Sequence, residues 1–493
     1  MHARRRHPRS RVVCSILSLS TALFASACGS SDDGAPVEEQ DSGTDSVVGD
    51  SGVDTAPRPD TSGSDGATDG ATDGATDGAT DGRTDGGIDG GADAVTDGGT
   101  DGAGGDGATD GTSDVATDVS TDAACAPLSA TATDVYVDKA STRASVGTPE
   151  CPFHTIIEGT ALASPASGTR TIHVKGGTGT TSVDYTETAS VEVKGNVVLV
   201  GDGTAVTKIL GGGACAEGTG NCTVLVRGGG TVDGFTVGAT GVVTSATGKA
   251  TVKNTLVTGS TTDGLRVLGN ADLGPNIQSN KNGNNGLTIS GTAKVHVIAG
   301  TGVVNQFDEN TGDGINVVGT DSVLTFDGGS ATNNKGDGLD IANVPSVITT
   351  ASHVVRALVA RTNGFDGTTP NGHSGISLGA DAGLKLRSSV VLKNGGSGVV
   401  WTHSTSAGSL LDLGTAADAG GNSLGGPTTA DQNTKAGVCM VSPPTSMGAD
   451  GNKWSACPPT QKTVAECNAT FTYTDIATKG ATVVTTTGCT VGP

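Results

Sequence analysis

The sequence predicts an all-β solenoid of short parallel strands, about three to a coil. Two observations carry this. First, six stretches follow one template, Asn-x-x-[Asp/Asn/Ser]-Gly-apolar-x-apolar. STTDGLRV starts at 260, NGNNGLTI at 282, NTGDGINV at 310, NKGDGLDI at 334, NGHSGISL at 371 and NGGSGVVW at 394, with Ser260 standing for the first Asn. Second, their glycines at 264, 286, 314, 338, 375 and 398 recur at intervals of 22, 28, 24, 37 and 23 residues. A period of this length is a repeat-protein signature. VDGFTV at 232–237 is a weaker relative.

Each part of the template has a physical task. The two apolar residues flank one polar residue, which is a strand period of two. Leu265 and Val267, Leu287 and Ile289, Ile315 and Val317, and Leu339 and Ile341 should therefore point inward. One coil cannot bury its apolar face alone, so successive coils must stack, with parallel strands about 4.8 Å apart. The asparagine amide both donates and accepts, so stacked copies can bond along the solenoid. Asn282, Asn310, Asn334, Asn371 and Asn394 read as such a structural ladder. Glycine supplies backbone angles that other residues resist.

The termini of the repeat region differ in composition. Residues 1–27 read as a lipoprotein signal peptide: MHARRRHPRSR is basic, and VVCSILSLSTALF is a short apolar run. The run ends in ASAC, and Cys28 reads as the lipidation site, although Ala25 stands where leucine is usual. Cleavage after Ala27 without lipidation is the plainer alternative. Residues 28–124 read as a disordered tether rich in Asp, Gly, Thr and Ala. From 29 to 124 it holds 24 acids against two arginines, Arg58 and Arg83, and no aromatic residue. Such a segment cannot bury enough apolar surface to offset its ordering entropy. The remainder is nearly balanced, with 22 basic and 27 acidic residues. No basic, aromatic-laced surface is encoded, so nucleic acid is excluded as a partner.

Eight cysteines follow the tether: Cys125, Cys151, Cys215, Cys222, Cys439, Cys457, Cys467 and Cys489. An even number in an exported chain reads as disulfides. Clustering in sequence favours pairs 125–151, 215–222, 439–457 and 467–489. Residues 125–225 read as an N-terminal cap with the first coils, 226–414 as the repeats, and 415–493 as a cysteine-containing C-terminal cap.

These repeats resemble right-handed parallel β-helices of the pectate lyase-like type. The front also resembles domain of unknown function 1565. Its marks are DVYVDKAS at 134, GTPECPFHTIIEGTALA at 147–163, TIHVKGG at 171, DYTE at 184 and LVGDGTAVTKILGGG from 199. The resemblance implies a short capping helix after PFHTI, with Gly159 where alanine is expected. It implies polysaccharide lyases, hydrolases or passive binding proteins, and fold alone does not choose among them.

Candidate chemistry is sparse. The strand alignment predicts one outward row: Arg266, Thr288, Asn316, Asp340, Ser377 and Val400. Its single acid and single arginine stand three rungs apart, at least about 14 Å at about 4.8 Å a rung. The turn aspartates Asp263, Asp313 and Asp337 share one template position and, with Asp340, form the candidate metal or ligand group. The cation they would suit is Ca2+, which prefers carboxylate oxygen. Bonding to turn backbone, as Asn and Ser do at that position, is the reading the template favours. No other cofactor is implied. Pectin hydrolases of this fold carry N-T-D, D-D, G-H-G and R-I-K; here only TTDG at 261 and GHSG at 372 occur, so His373 reads as a turn residue. The expected role is binding or display at the cell envelope, with a polysaccharide as ligand and the membrane held through the lipid anchor. The alternative is a polysaccharide lyase or glycoside hydrolase.

Overall fold

The computed structural model describes residues 125–492, apart from 163, 166, 218–219, 343–352, 380–381, 403–409, 445 and 481. The signal segment, Cys28 and the acidic tether lie outside the described residues.

The chain winds as a parallel β-helix with three strand faces. The first face begins with Asp134–Val137, Arg170–Val174 and Val197–Gly201 and runs to Leu411–Asp412. The second stacks Val183–Glu187, Thr207–Gly211, Thr236–Val237 and Thr255–Thr258, and continues to Val390–Leu392. The third is a 12-stranded sheet that begins at Val191–Val193 and includes every template strand. Two long strands, Val323–Thr332 and His353–Arg361, pass from the first face to the second without a break. Their corners are Gly328 and Gly329 in one and Ala357 in the other, all with positive φ.

The template strands lie in the register the repeats predict. Leu265, Leu287, Ile315, Leu339, Ile376 and Val399 are successive partners. All are fully buried, as are Val267, Ile289, Val317 and Ile341. Burying one such side chain is worth roughly 1.5–3 kcal/mol, and the stack repeats it at every rung.

The N-terminal end is closed by the helix Ile156–Ala161. Its N-cap is a capping box: Thr155 Oγ1 accepts from the Glu158 N–H at 3.2 Å, and the Glu158 carboxylate accepts from the Thr155 N–H at 2.9 Å. The Glu187 carboxylate accepts from the Ile156 N–H at 2.8 Å. At Gly159 a Cβ would sit 3.2 Å from the side chains of both Ile172 and Val137, so alanine there would need them to give by a few tenths of an ångström.

The amide ladder is built from Ser260, Asn282, Asn310, Asn334, Asn363, Asn394 and Asn433. Each asparagine Oδ1 accepts the backbone N–H of the rung before it, at 2.9–3.1 Å. From Asn282 onward, each Nδ2 also donates to the next Oδ1. Asn371 is not a rung. It is exposed, its Nδ2 donates to the Lys335 carbonyl, and its Oδ1 accepts from the His373 N–H. Asn363 takes its place, because a hairpin of Phe365–Asp366 and Thr369–Pro370 splits this copy of the template. The 37-residue interval is that insertion.

The template glycines also differ from expectation. None of the six has positive φ among the described residues. They are required by space: a Cβ on Gly264, Gly286, Gly314, Gly338, Gly375 or Gly398 would lie 2.5–2.8 Å from a ladder Nδ2. Left-handed backbone falls one residue before each rung from Ser260 to Asn394 instead, at Gly259, Lys281, Glu309, Asn333, Thr362 and Lys393, whereas Gln432 before Asn433 is extended.

The parallel stack does not end at 414. Ala436–Val441 and Thr474–Lys479 add rungs to the third sheet, with Val438 opposite Val399 and Ile476 opposite Val438. NTKAGVCM at 433 is a seventh template copy with Ala436 at the Asp/Asn/Ser position. A second amide pair, Asn422 and Asn452, lines another corner.

Four disulfides are formed. Cys125–Cys151 and Cys215–Cys222 match the expected pairs. The other two do not: Cys439 pairs with Cys467, and Cys457 with Cys489. Their separations of 28 and 32 residues are about one coil. In a solenoid the chain returns to the same place after a full turn, so the cysteine one coil on is nearer than the next in sequence.

Candidate functional site

The outward row of the third face is Arg266, Thr288, Asn316, Asp340, Ser377 and Val400, in that register. It then continues through Cys439. Arg266 and Asp340 are three rungs apart, and no shared site joins them.

The turns beside this row do gather charge. Asp263, Asn285, Asp313, Asp337 and Ser374 stack at one template position. Asp263 Oδ1 accepts from the Asn285 N–H at 3.2 Å, and from Asn284 Nδ2 at 2.7 Å. Asn285 Oδ1 accepts from the Asp313 N–H, and Asp313 Oδ1 from the Asp337 N–H, both at 2.7 Å. Asp337 Oδ1 accepts from the Ser374 N–H. The intervening Gly336 is needed here, since a Cβ would lie 2.2 Å from Asp313 Oδ1.

The other oxygen of Asp337 faces His373 Nδ1 at 3.4 Å. One ligand atom each from Asp313, Asp337 and His373 lies within 4.8 Å of the others. Asp263 stays outside this cluster and lines a separate cleft with Arg266. Asp340 adjoins the cluster on the strand that follows.

The electrostatics follow from burial and crowding. Burial, then the charge of Asp337, push the Asp313 carboxyl up to about 7. The Asp337 N–H that it accepts pulls the other way. Burial and Asp337 also push Asp340 up to about 6, opposed by its bond with Ser377. His373 is held above its ordinary value by its bond to Asp337 first and by the charges of Asp337, Asp313 and Asp340, against the effect of burial. The cluster can therefore take up or release a proton near neutrality, and its donor atoms converge enough to hold a cation.

Two cavities are lined by residues of these turns, and only the smaller includes members of the cluster. One, of about 190 Å3, is lined by Asp337, His373, Ser374, Ser377 and Ser397 among others. The other, of about 640 Å3, is lined by Glu309, Asn310, Asn333, Lys335, Thr362 and Phe365. The oversized coil contributes to both: Phe365, Gly367 and Thr368 of its hairpin line the larger, and Gly372, His373 and Ser374 line the smaller.

Sequence reasoning placed Asp313 and Asp337 on adjacent rungs and left out His373. The signal was present in the 37-residue interval, the longest between template glycines. An insertion that long adds side chains outside the repeat, and here it adds the imidazole.

No family model matches the chain, and no curated protein matches it. Among solved structures, the A-module of the mannuronan C-5 epimerase AlgE4 of Azotobacter vinelandii is similar over 69% of this chain and 94% of that one. The identity is 15% and the TM-score 0.39.

Proposed function

We propose that the chain is an exported, lipid-anchored envelope protein whose β-helix binds and displays a polysaccharide beside the oversized coil. The larger cavity carries this reading. A single aromatic wall, Phe365, faces amide, hydroxyl and charged groups from Asn333, Thr311, Thr362, Glu309 and Lys335. A sugar ring needs that combination: an apolar face to cover its C–H bonds and a few placed polar groups to fix its hydroxyls. Four disulfides support export, because such bonds persist in oxidising surroundings. Mass spectrometry of the native N-terminus is expected to show acylated Cys28; a free α-amine there rules out the anchor.

Binding is tested by affinity electrophoresis of the purified protein through gels containing neutral or acidic polysaccharides. Retardation by at least one glycan, lost in Phe365→Ala, is the expected result. Equal mobility in every gel overturns it.

A second reading, polysaccharide lyase or hydrolase, is favoured by one observation: carboxyls titrating near 6 and 7 beside an imidazole suit acid–base work at neutral pH. Among the described residues, no lysine or arginine figures among the charges that act on Asp313, Asp340 or His373. Product analysis by mass spectrometry separates the two readings. New oligosaccharides make the protein an enzyme, and their loss in His373→Ala assigns the site.

A further inference from the structure

We propose that Asp313, Asp337 and His373 form a binding site for one divalent transition-metal ion, of the Zn2+ class, with an open coordination position toward the smaller cavity. The inference is independent of the glycan reading. It departs from the Ca2+ that the aspartates alone suggest, because an imidazole donor suits Zn2+, Co2+ or Mn2+ far better than Ca2+.

Three lines of geometry support it. Asp313 and Asp337 each give one oxygen to the backbone N–H of the next rung. That bond fixes each side chain, as a ligand's outer partner does, and leaves its second oxygen for an ion. The Asp337–His373 separation of 3.4 Å is close to the roughly 3.3 Å between two donors on a tetrahedral ion with bonds of about 2.0 Å. The Asp313 ligand atom lies within 4.8 Å of both, which brings a third donor to the same place.

The fourth observation is independent of the cluster. Ser397 is 1% exposed, and its Oγ has no hydrogen-bond partner. It lines the same 190 Å3 cavity as Asp337 and His373. A buried hydroxyl left unmatched costs about 1–3 kcal/mol. A metal-bound water in the cavity would give it a partner.

The charge balance agrees. Two ionised carboxylates and a neutral imidazole offset a dication, and Asp340 stands beyond them as a further acid. Three protein donors with room for water form an open site rather than a closed structural one.

The test is Co2+ titration of the full-length protein, followed by its visible d–d absorption, with Zn2+ competition measured by calorimetry. The acidic segment is the same in every variant, so any contribution it makes cancels in the comparison. One saturable site is expected, with bands that disappear on adding Zn2+. His373→Ala, whose side chain is half exposed and not part of the core, is expected to abolish the bands while leaving the melting temperature in EDTA nearly unchanged at pH 8, where the contribution of the protonated imidazole has faded. Ser397→Ala, which changes an outer partner only, is expected to weaken the site by roughly 10–100-fold. Absence of a saturable site, or a site equal in wild type and His373→Ala, overturns the proposal. Saturable binding of Ca2+ alone, indifferent to His373, overturns it too.

Discussion

Two ladders of polar side chains run along the same turns and behave in opposite ways. The inner one, Asn282 to Asn433, is made of amides. Each amide accepts from one neighbour and donates to the next, so the column is self-satisfying. The outer one, from Asp263 through Asn285, Asp313 and Asp337, contains carboxylates. A carboxylate only accepts. Where two stand on adjacent rungs, their charges add, and only backbone N–H groups of the column donate to them. The difference separates scaffold from candidate site: the repeat satisfies itself in one column, and in the other it gathers acidic charge that turns to a side chain outside the repeat, His373.

The largest effect should come from breaking the inner column. In Asn334→Ala, two bonds accepted from Asn310 are lost, together with donation to the Phe307 carbonyl and to Asn363 Oδ1. Buried partners left unpaired, plus the space vacated, are expected to cost about 3–5 kcal/mol in urea unfolding. The next test compares two asparagines eight residues apart. Asn363→Ala should destabilise on the scale of Asn334→Ala, whereas Asn371→Ala should cost less than about 1 kcal/mol. Equal costs would contradict the split template.

The outer column should respond to pH. The folded-state value for Asp313, about 7, lies above its ordinary 3.8. The folded protein thus binds this proton more tightly than the unfolded chain. The contribution is complete below about pH 4 and is lost as pH rises toward 7. His373 acts in the same sense: its raised value gives stability below about 6.5 that fades as pH rises further. Stability measured from pH 4 to 8 should therefore fall, and Asp313→Asn should flatten the fall. An unchanged slope would show that burial and the neighbouring charge of Asp337 do not hold the Asp313 proton in the folded state. The smallest effect is expected at Asp263→Ala, about 0.5–1 kcal/mol, because that carboxylate stands apart from the cluster.

Most of the architecture was legible in the sequence, for a local reason. The alternation in GLRV, GLTI, GINV and GLDI decides which residues are buried, and a strand's register follows from which face is apolar. Correct pairing of the outward row from Arg266 to Val400 follows from that alone. The misreadings share one cause as well. Asn371 was assigned by its place in the local template, and Cys457 and Cys467 by nearness in sequence, but a solenoid sets neighbours by coil. The glycines were assigned to backbone angle when their task is to leave room for an amide on the next rung.

What the sequence determined by itself is the periodic part: all-β coils, a buried aliphatic stack, amides in the turns and oxidised cysteines. What only the tertiary structure decided is whatever depends on one coil meeting the next with an irregularity between them. The hairpin at 365–370 moves the ladder rung to Asn363 and leaves His373 against Asp337. Periodicity fixes the direction in which each side chain points, because that is set by the backbone of its own strand. It cannot fix the partner of a side chain carried on an insertion, because that depends on where the insertion folds back.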